Sequence, residues 1–304
     1  MRSSAVAFVV ALLAAAGCAS NLPDPNSDQQ APSAATAAPE WAGTSRLFGP
    51  GAILPAFETA AERATRGKFD SNDDFRIKNA HWYAQTRPPE AGKFRPFGEW
   101  EKMSAVWTTY SNGMVNTKPV RRMFAEQTIN FVRFSNPKVQ AKVIVAGNTA
   151  GADFLKALDQ YGATAAEKNL VQLVTLPHDT IWHIDYGVFP LVNKANGTVA
   201  FTDWVYYKPR VLDDAIPTRM ANDFYKATVF HTPFPFEGGN IQADGVGSCA
   251  TTVRALQNTG YSALKVRNIL KSYAACDKTL IIKDITDDGT GHIDMFFKWV
   301  NTDT

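Results

Sequence analysis

The sequence predicts an α/β fold, and three observations carry that reading. Short apolar runs rich in β-branched and aromatic residues recur along the chain, each closed by turn residues. Between them lie stretches whose apolar residues repeat at helical spacing. No glycine-rich phosphate turn follows an early strand, which sets the chain apart from simple doubly wound nucleotide-binding folds.

In chain order, Ala105–Tyr110 (AVWTTY) reads as the first strand, ended by Ser111, Asn112 and Gly113. Pro119 then opens a helix with Val120, Met123, Phe124 and Phe131 on one face. Lys142–Ala146 has the pattern of a buried strand stopped by Gly147 and Asn148, Ala152–Leu158 reads as helix, and Val171–Leu176 as strand. Further strands are expected at Tyr186–Val192, Val199–Tyr207, Thr228–His231, Leu280–Ile282 and Met295–Val300. Helices are expected at Ile216–Ala227, with Pro217 at an early helical position, and at Ala263–Ala274. Strands alternating with helices are the signature of α/β architecture.

Four regions divide the 304 residues. Residues 1–18 read as a targeting segment: Arg2 is the basic start, Ala5–Ala14 is too short to span a bilayer, and Ala15, Ala16 and Gly17 lead into Cys18. That ending resembles the lipobox of bacterial lipoproteins, which implies lipid attachment at Cys18, a membrane anchor and a place in the bacterial cell envelope. Residues 19–44 read as a tether, since Asn21–Glu40 is rich in Pro, Ala, Ser and Gln with Leu22 as its only large aliphatic residue. Residues 45–96 form an N-terminal extension without a usable motif, and residues 97–304 form the main domain. A net charge of +2 with scattered Lys and Arg gives no nucleic-acid footprint. Besides Cys18, only Cys249 and Cys276 carry thiols, and they could pair in an oxidising compartment.

The chemistry-bearing residues gather in three segments: His178–Gly187 (HDTIWHIDYG), Phe236–Gly247 (FEGGNIQADGVG) and Asp287–Asp294 (DDGTGHID). If His292 and Asp294 enter a strand, they project from one side of it. Trp182 and Asp185 stand three apart, so an indole can cover a cation while a carboxylate takes its N–H edge. One histidine, two carboxylates and an aromatic plate suit a planar guanidinium, with its fixed fork of donors. On the residues alone, His292 reads first as a structural histidine and Trp182 as core. Lys208 and Arg210 read equally as solvated strand-end charges. A zinc site from His178, His183, Asp185, His292 and Asp294 is disfavoured because no tight ligand spacing is present.

These segments resemble the agmatine deiminase and bacterial peptidyl-arginine deiminase family. Glu99-Trp100-Glu101 running into Ala105-Val106-Trp107 is similar to the family's opening, and Trp182–Val188 to its W-x-R-D-x-G-P. Glu237–Ile241 matches E-G-G-N-I, and Gly291–Asp294 matches G-H-x-D, in the same order. Ile184 stands in place of the family arginine and Val188 in place of the proline. The resemblance implies a pentein-type five-module α/β propeller. It implies that Asp185 and Asp294 clamp a guanidinium, that His292 is the general acid/base and that Trp182 is the aromatic wall. Lys208-Pro209-Arg210 resembles an R-P-R element whose side chains hold the α-carboxylate of a C-terminal arginine, and Asp213-Asp214 fits the same branch. Glu237, Gly238, Gly239 and Asn240 are expected to form a structural turn in which Glu237 accepts backbone N–H bonds.

The implied reaction replaces a guanidine nitrogen by oxygen through a cysteine thiouronium adduct, with His292 protonating departing ammonia and then activating water. No metal or organic cofactor is required. Agmatine has no carboxylate, so the Lys208 and Arg210 pair favours a peptide or arginine-like substrate, while agmatine, free arginine and peptidyl-arginine all remain as substrates. The family's G-G-x-x-H-C-type nucleophile motif has no counterpart here, and neither Cys249 nor Cys276 matches it. A second reading is therefore a shortened relative that binds cationic guanidines without converting them.

Overall fold

The computed structural model describes residues 44–45, 49–50, 54–69, 74–111, 117–285 and 289–302. The targeting segment with Cys18, and the tether up to residue 43, lie outside the described residues. A two-residue ladder pairs β1 (Thr44–Ser45) with β2 (Gly49–Pro50), and α1 spans Ala60–Phe69. Beyond it the chain builds three small sheets, each containing a parallel pair joined through helix.

The first sheet is all parallel, in the order β4 (Ala105–Tyr110), β5 (Gln140–Val145), β6 (Val171–Thr175). Its crossovers contain helices Lys118–Phe134 and Asn148–Gln160. The longer helix carries Pro119 in its first turn as expected, and its buried face is Arg121, Phe124, Ala125, Thr128, Ile129 and Val132. Of the predicted face Val120, Met123, Phe124 and Phe131, Phe124 is buried while Val120, Met123 and Phe131 are partly buried at its edge. Burial follows the full i, i+3, i+4, i+7 stripe rather than the largest side chains.

The second sheet runs β3 (Phe94–Pro96), β7 (Phe189–Asn193), β8 (Val199–Val205), β9 (Thr228–Pro235), with only β8 and β9 parallel. Phe94–Pro96 thus pairs with the main sheet, although the sequence assigns it to the N-terminal extension. The predicted helix over Ile216–Ala227 is α-helical at Ile216–Arg219 and π-helical at Met220–Tyr225. The third sheet runs β10 (Gln242–Ala243), β11 (Ser248–Thr252), β12 (Lys278–Ile282), and its crossover contains helix Ala263–Ala274 as predicted.

Adjacent sheets share cores. Trp107, Ile144 and Val174 of the first pack with Phe201 of the second and with Ile216 and Met220 of its helical crossover. Leu191, Trp204 and Phe234 of the second pack with Ile241, Val266 and Leu270 of the third. Cys249 and Cys276 form a disulfide that ties β11 to the residue pair after Ala274. Among the described residues no helix is long and apolar enough to cross a membrane. A five-module ring is not closed by these three sheets.

Residues 291–300 correct the sequence reading. Instead of a strand, Ile293–Met295 is one 3₁₀ turn and the rest is irregular. Ile293 is fully buried and its carbonyl accepts the amides of Phe296 and Phe297. An apolar–polar alternation specifies a strand only where another strand accepts its ladder, and none lies alongside this segment among the described residues.

Candidate functional site

Three short turns meet at His292. The first is the single helical turn His183–Tyr186, which buries Asp185. The second is the 3₁₀ turn Gly238–Asn240, which follows Glu237. The third carries His292 immediately before its 3₁₀ turn, after Gly289 and Gly291, both at positive φ. Thr252, at the end of β11, joins the last two: its hydroxyl lies 3.0 Å from Asn240 Oδ1 and 2.8 Å from the Gly291 carbonyl.

His292 sits between carboxylates. Its Nε2 donates to Glu237 Oε2 at 3.0 Å, and its Nδ1 lies 3.4 Å from Asp185 Oδ1. Burial by itself opposes the charged imidazole, but Asp185 and Glu237 outweigh that and lift the pKa to about 10. Burial is also what raises the Asp185 carboxyl, to about 7; the positive charge on His292 pulls the other way. Asp185 Oδ1 is buried and has no hydrogen-bond partner among the described residues.

Gly238 and Gly239 allow this convergence. A Cβ on Gly238 would stand 2.1 Å from the Ile184 carbonyl oxygen. On Gly239 it would stand 2.6 Å from His292 Nδ1, 2.7 Å from Asp185 Oδ1 and 3.0 Å from Asp294 Oδ2. Asp185, His292 and Asp294 therefore surround one point in front of Gly239. Asp185, Glu237 and Asp294 with the His292 imidazolium thus bring three carboxylates and one cation together around this turn, a set of acceptors whose chemistry matches a cationic group with several N–H donors.

Glu237 is a correction. It was expected to stabilise the glycine turn through backbone amides, but its carboxylate instead receives His292 Nε2 and the Tyr207 hydroxyl. Among the described residues no backbone amide donates to this carboxylate, whereas the imidazole is 3.0 Å away. Asn240 does the bracing, accepting from the Thr252 amide.

Arg210 is a second correction. It was expected to hold a substrate carboxylate, yet it is 1% exposed and its donors are taken. Nε and Nη2 contact Glu62 at 2.7 and 3.1 Å, Nη2 also meets the Pro55 and Phe57 carbonyls, and Nη1 donates to Tyr206. Lys208 is exposed. Asp213 and Asp214 serve the scaffold: Asp213 accepts the Asp179 and Thr180 amides, and Asp214 accepts the Tyr206 amide.

Trp182 is half-buried between the cores on either side of the first sheet, and its indole N–H donates to the Leu54 carbonyl at 2.6 Å. His178 and His183 are buried, and desolvation lowers them to about 4 and about 3, so they stay neutral. Among the described residues no group of three or more His, Cys, Asp or Glu side chains is arranged to hold a metal ion. Glu62 and Tyr207 were missed by the sequence reading. Tyr207 stands next to the Lys208-Pro209-Arg210 element and was the legible one; Glu62 lies in a stretch without a motif.

A model of the Porphyromonas-type peptidyl-arginine deiminase family matches residues 95–304. The chain belongs to this family. Agmatine deiminase of Pseudomonas aeruginosa is 25% identical over 236 residues, 71% of this chain and 60% of that protein. A Mycoplasma capricolum protein provisionally named agmatine deiminase is 26% identical over 68% of this chain and 58% of its own length. The solved agmatine deiminase of Enterococcus faecalis matches with a TM-score of 0.55 at 21% identity, over 69% of this chain and 60% of that one, a likeness of fold. The chain thus spans about three fifths of the length of these deiminases.

Proposed function

We propose that this deiminase-family chain carries the guanidinium-binding half of a guanidine hydrolase site. The single observation that supports this most is the convergence of Asp185 Oδ1, His292 Nδ1 and Asp294 Oδ2 on one point before Gly239, with Asp185 Oδ1 buried, ion-paired to His292 and accepting no hydrogen bond among the described residues. A guanidinium there offers N–H donors to both carboxylates while its carbon stays beside the imidazole.

In the proposed reaction one guanidine nitrogen leaves as ammonia, a water oxygen replaces it, and the product is a ureido group. His292, held protonated by Asp185 and Glu237, gives a proton to the departing ammonia and then takes one from water. The covalent version uses a thiolate, and Cys249 and Cys276 do not supply it because they are joined to each other. That observation favours a second reading, in which this chain binds guanidines without converting them. The three sheets with shared cores fit an arrangement of successive modules in a pentein-type ring. The disulfide supports an exported protein, as such bonds persist in oxidising compartments, and export fits lipid anchoring at Cys18.

Ammonia release and ureido product, measured with agmatine and with an arginine peptide, test the reading. Turnover that disappears in His292→Ala supports hydrolysis. Binding of either ligand without ammonia supports the second reading. Neither binding nor turnover, in folded protein, overturns both.

A further inference from the structure

The family match begins at residue 95, yet a segment well before it packs against residues that flank the site. Leu54 to Glu62 touches three of the surrounding elements. The Leu54 carbonyl accepts the indole N–H of Trp182. The Pro55 and Phe57 carbonyls accept from Arg210. The Phe57 ring lies on the backbone of Gly289, where an added Cβ would come within 2.7 Å of Cδ1. Glu62 ends the segment, fully buried, with both carboxylate oxygens on Arg210. Thr59 fixes it there: the Thr59 amide donates to Glu62 Oε2 and the Thr59 hydroxyl accepts the Glu62 amide, a reciprocal cap at the start of α1.

Arg210 is one aromatic ring away from the carboxylate cluster. Its guanidinium lies 4.9 Å from the centre of the Tyr207 ring, and the Tyr207 hydroxyl donates to Glu237. Left unpaired, a cation so placed would attract an anionic group on any ligand whose guanidinium sat at Asp185 and Asp294. Glu62 already fills that role, with the bidentate geometry a ligand carboxylate would use.

We propose that Glu62 is a specificity-determining residue: by holding Arg210 in a buried ion pair it withdraws the cation that a ligand carboxylate needs, so the site takes guanidines without an anionic tail and turns away those bearing a free α-carboxylate. This rests on the guanidine-binding reading of the site. The ligand class is then an alkylguanidine, or an arginine whose carboxyl group is already in amide linkage. Lys208 is exposed two residues earlier and does not substitute for a buried, oriented guanidinium.

L-Argininamide and L-arginine are nearly isosteric and differ at the carboxylate, so calorimetric titration of each into the full chain isolates the effect. The intact protein is expected to bind L-argininamide at least about tenfold more tightly, the scale set by an unmatched buried polar group. Glu62→Gln releases the Arg210 charge and is expected to close most of that gap by strengthening L-arginine binding. The paired replacement Glu62→Met with Arg210→Met removes both charges and is expected to keep the preference of the intact protein, which separates a charge effect from general loosening. Equal binding of the two ligands by the intact protein overturns the proposal, and needs no variant to be folded. An unchanged gap in a folded Glu62→Gln protein also overturns it. Binding of neither ligand to any of the three proteins overturns the guanidine reading itself, and this inference with it.

Discussion

Glu237 Oε2 lies 3.0 Å from His292 Nε2, and this contact turns the glycine turn of the third sheet into part of the site. With Asp185 on the other ring nitrogen, the imidazole has an acidic partner at each edge. Two carboxylates so placed favour the charged imidazole, and in the proposed reaction that is the form that gives a proton to the departing ammonia.

The charge state of His292 gives the first prediction. Its folded pKa is raised to about 10 from the usual 6.5. A raised histidine contributes stability that is complete below the unfolded value and is lost as pH climbs through the folded one. Thermal unfolding is therefore expected to shift downward between pH 7 and pH 10, with a shallower slope in His292→Asn. The imidazole resonance of His292 is expected to remain in its protonated form at pH 8; titration near pH 6.5 contradicts the assignment.

Gly239→Ala is expected to break the site at its centre. The new methyl would meet His292 Nδ1, Asp185 Oδ1 and Asp294 Oδ2 within 3.0 Å. Overpacking of this kind costs about 2 kcal/mol, and guanidine binding should be lost with it. Gly147→Ala, where an added Cβ meets nothing within 4 Å and φ is 170°, is the control. Gly147 caps helix Asn148–Gln160, so the change should lower stability by about 0.5–1 kcal/mol in denaturant titration while leaving guanidine binding unchanged.

How much of this was legible beforehand differs by element. Helix Ala263–Ala274 follows from periodicity, because it buries Val266, Leu270 and Ala274 on one face, whereas strand Ala105–Tyr110 and the Val199–Val205 part of the predicted Val199–Tyr207 follow from apolar, β-rich composition, because both are buried on both faces. Asp185, His292 and Asp294 were legible as a charged group beside glycines, and they meet at Gly239. Their backbone was not: a 3₁₀ turn and an extended strand can share the same local alternation over three residues, and only long-range pairing decides between them. Glu62 was invisible because nothing local marks it; its meaning comes from Arg210, 148 residues away in sequence.

The Glu62–Arg210 pair predicts a marked asymmetry in stability. Arg210→Met leaves a carboxylate buried without its cation, a change that costs about 3 kcal/mol or more. Glu62→Met with Arg210→Met removes both charges and should recover most of that loss in urea unfolding. Equal destabilisation by the single and paired changes contradicts the buried pairing.

The disulfide predicts sensitivity to reduction. Cys249 and Cys276 are separated by 27 positions, so closing that loop is worth about 3.5 kcal/mol in the unfolded-chain entropy model. Cys249→Ala with Cys276→Ala should lower the urea midpoint, and adding a reductant to this variant should have no further effect. Because β11 carries Thr252 to both Asn240 and Gly291, guanidine affinity is expected to fall along with stability.

The central claim is that Asp185 and its neighbours hold a guanidinium, and titration of agmatine into the folded chain and into Asp185→Asn tests it most directly. Binding is expected to weaken at least about tenfold in the variant, the loss that follows when a charge-assisted hydrogen-bond acceptor is neutralised. Agmatine bound equally well by both proteins would contradict it.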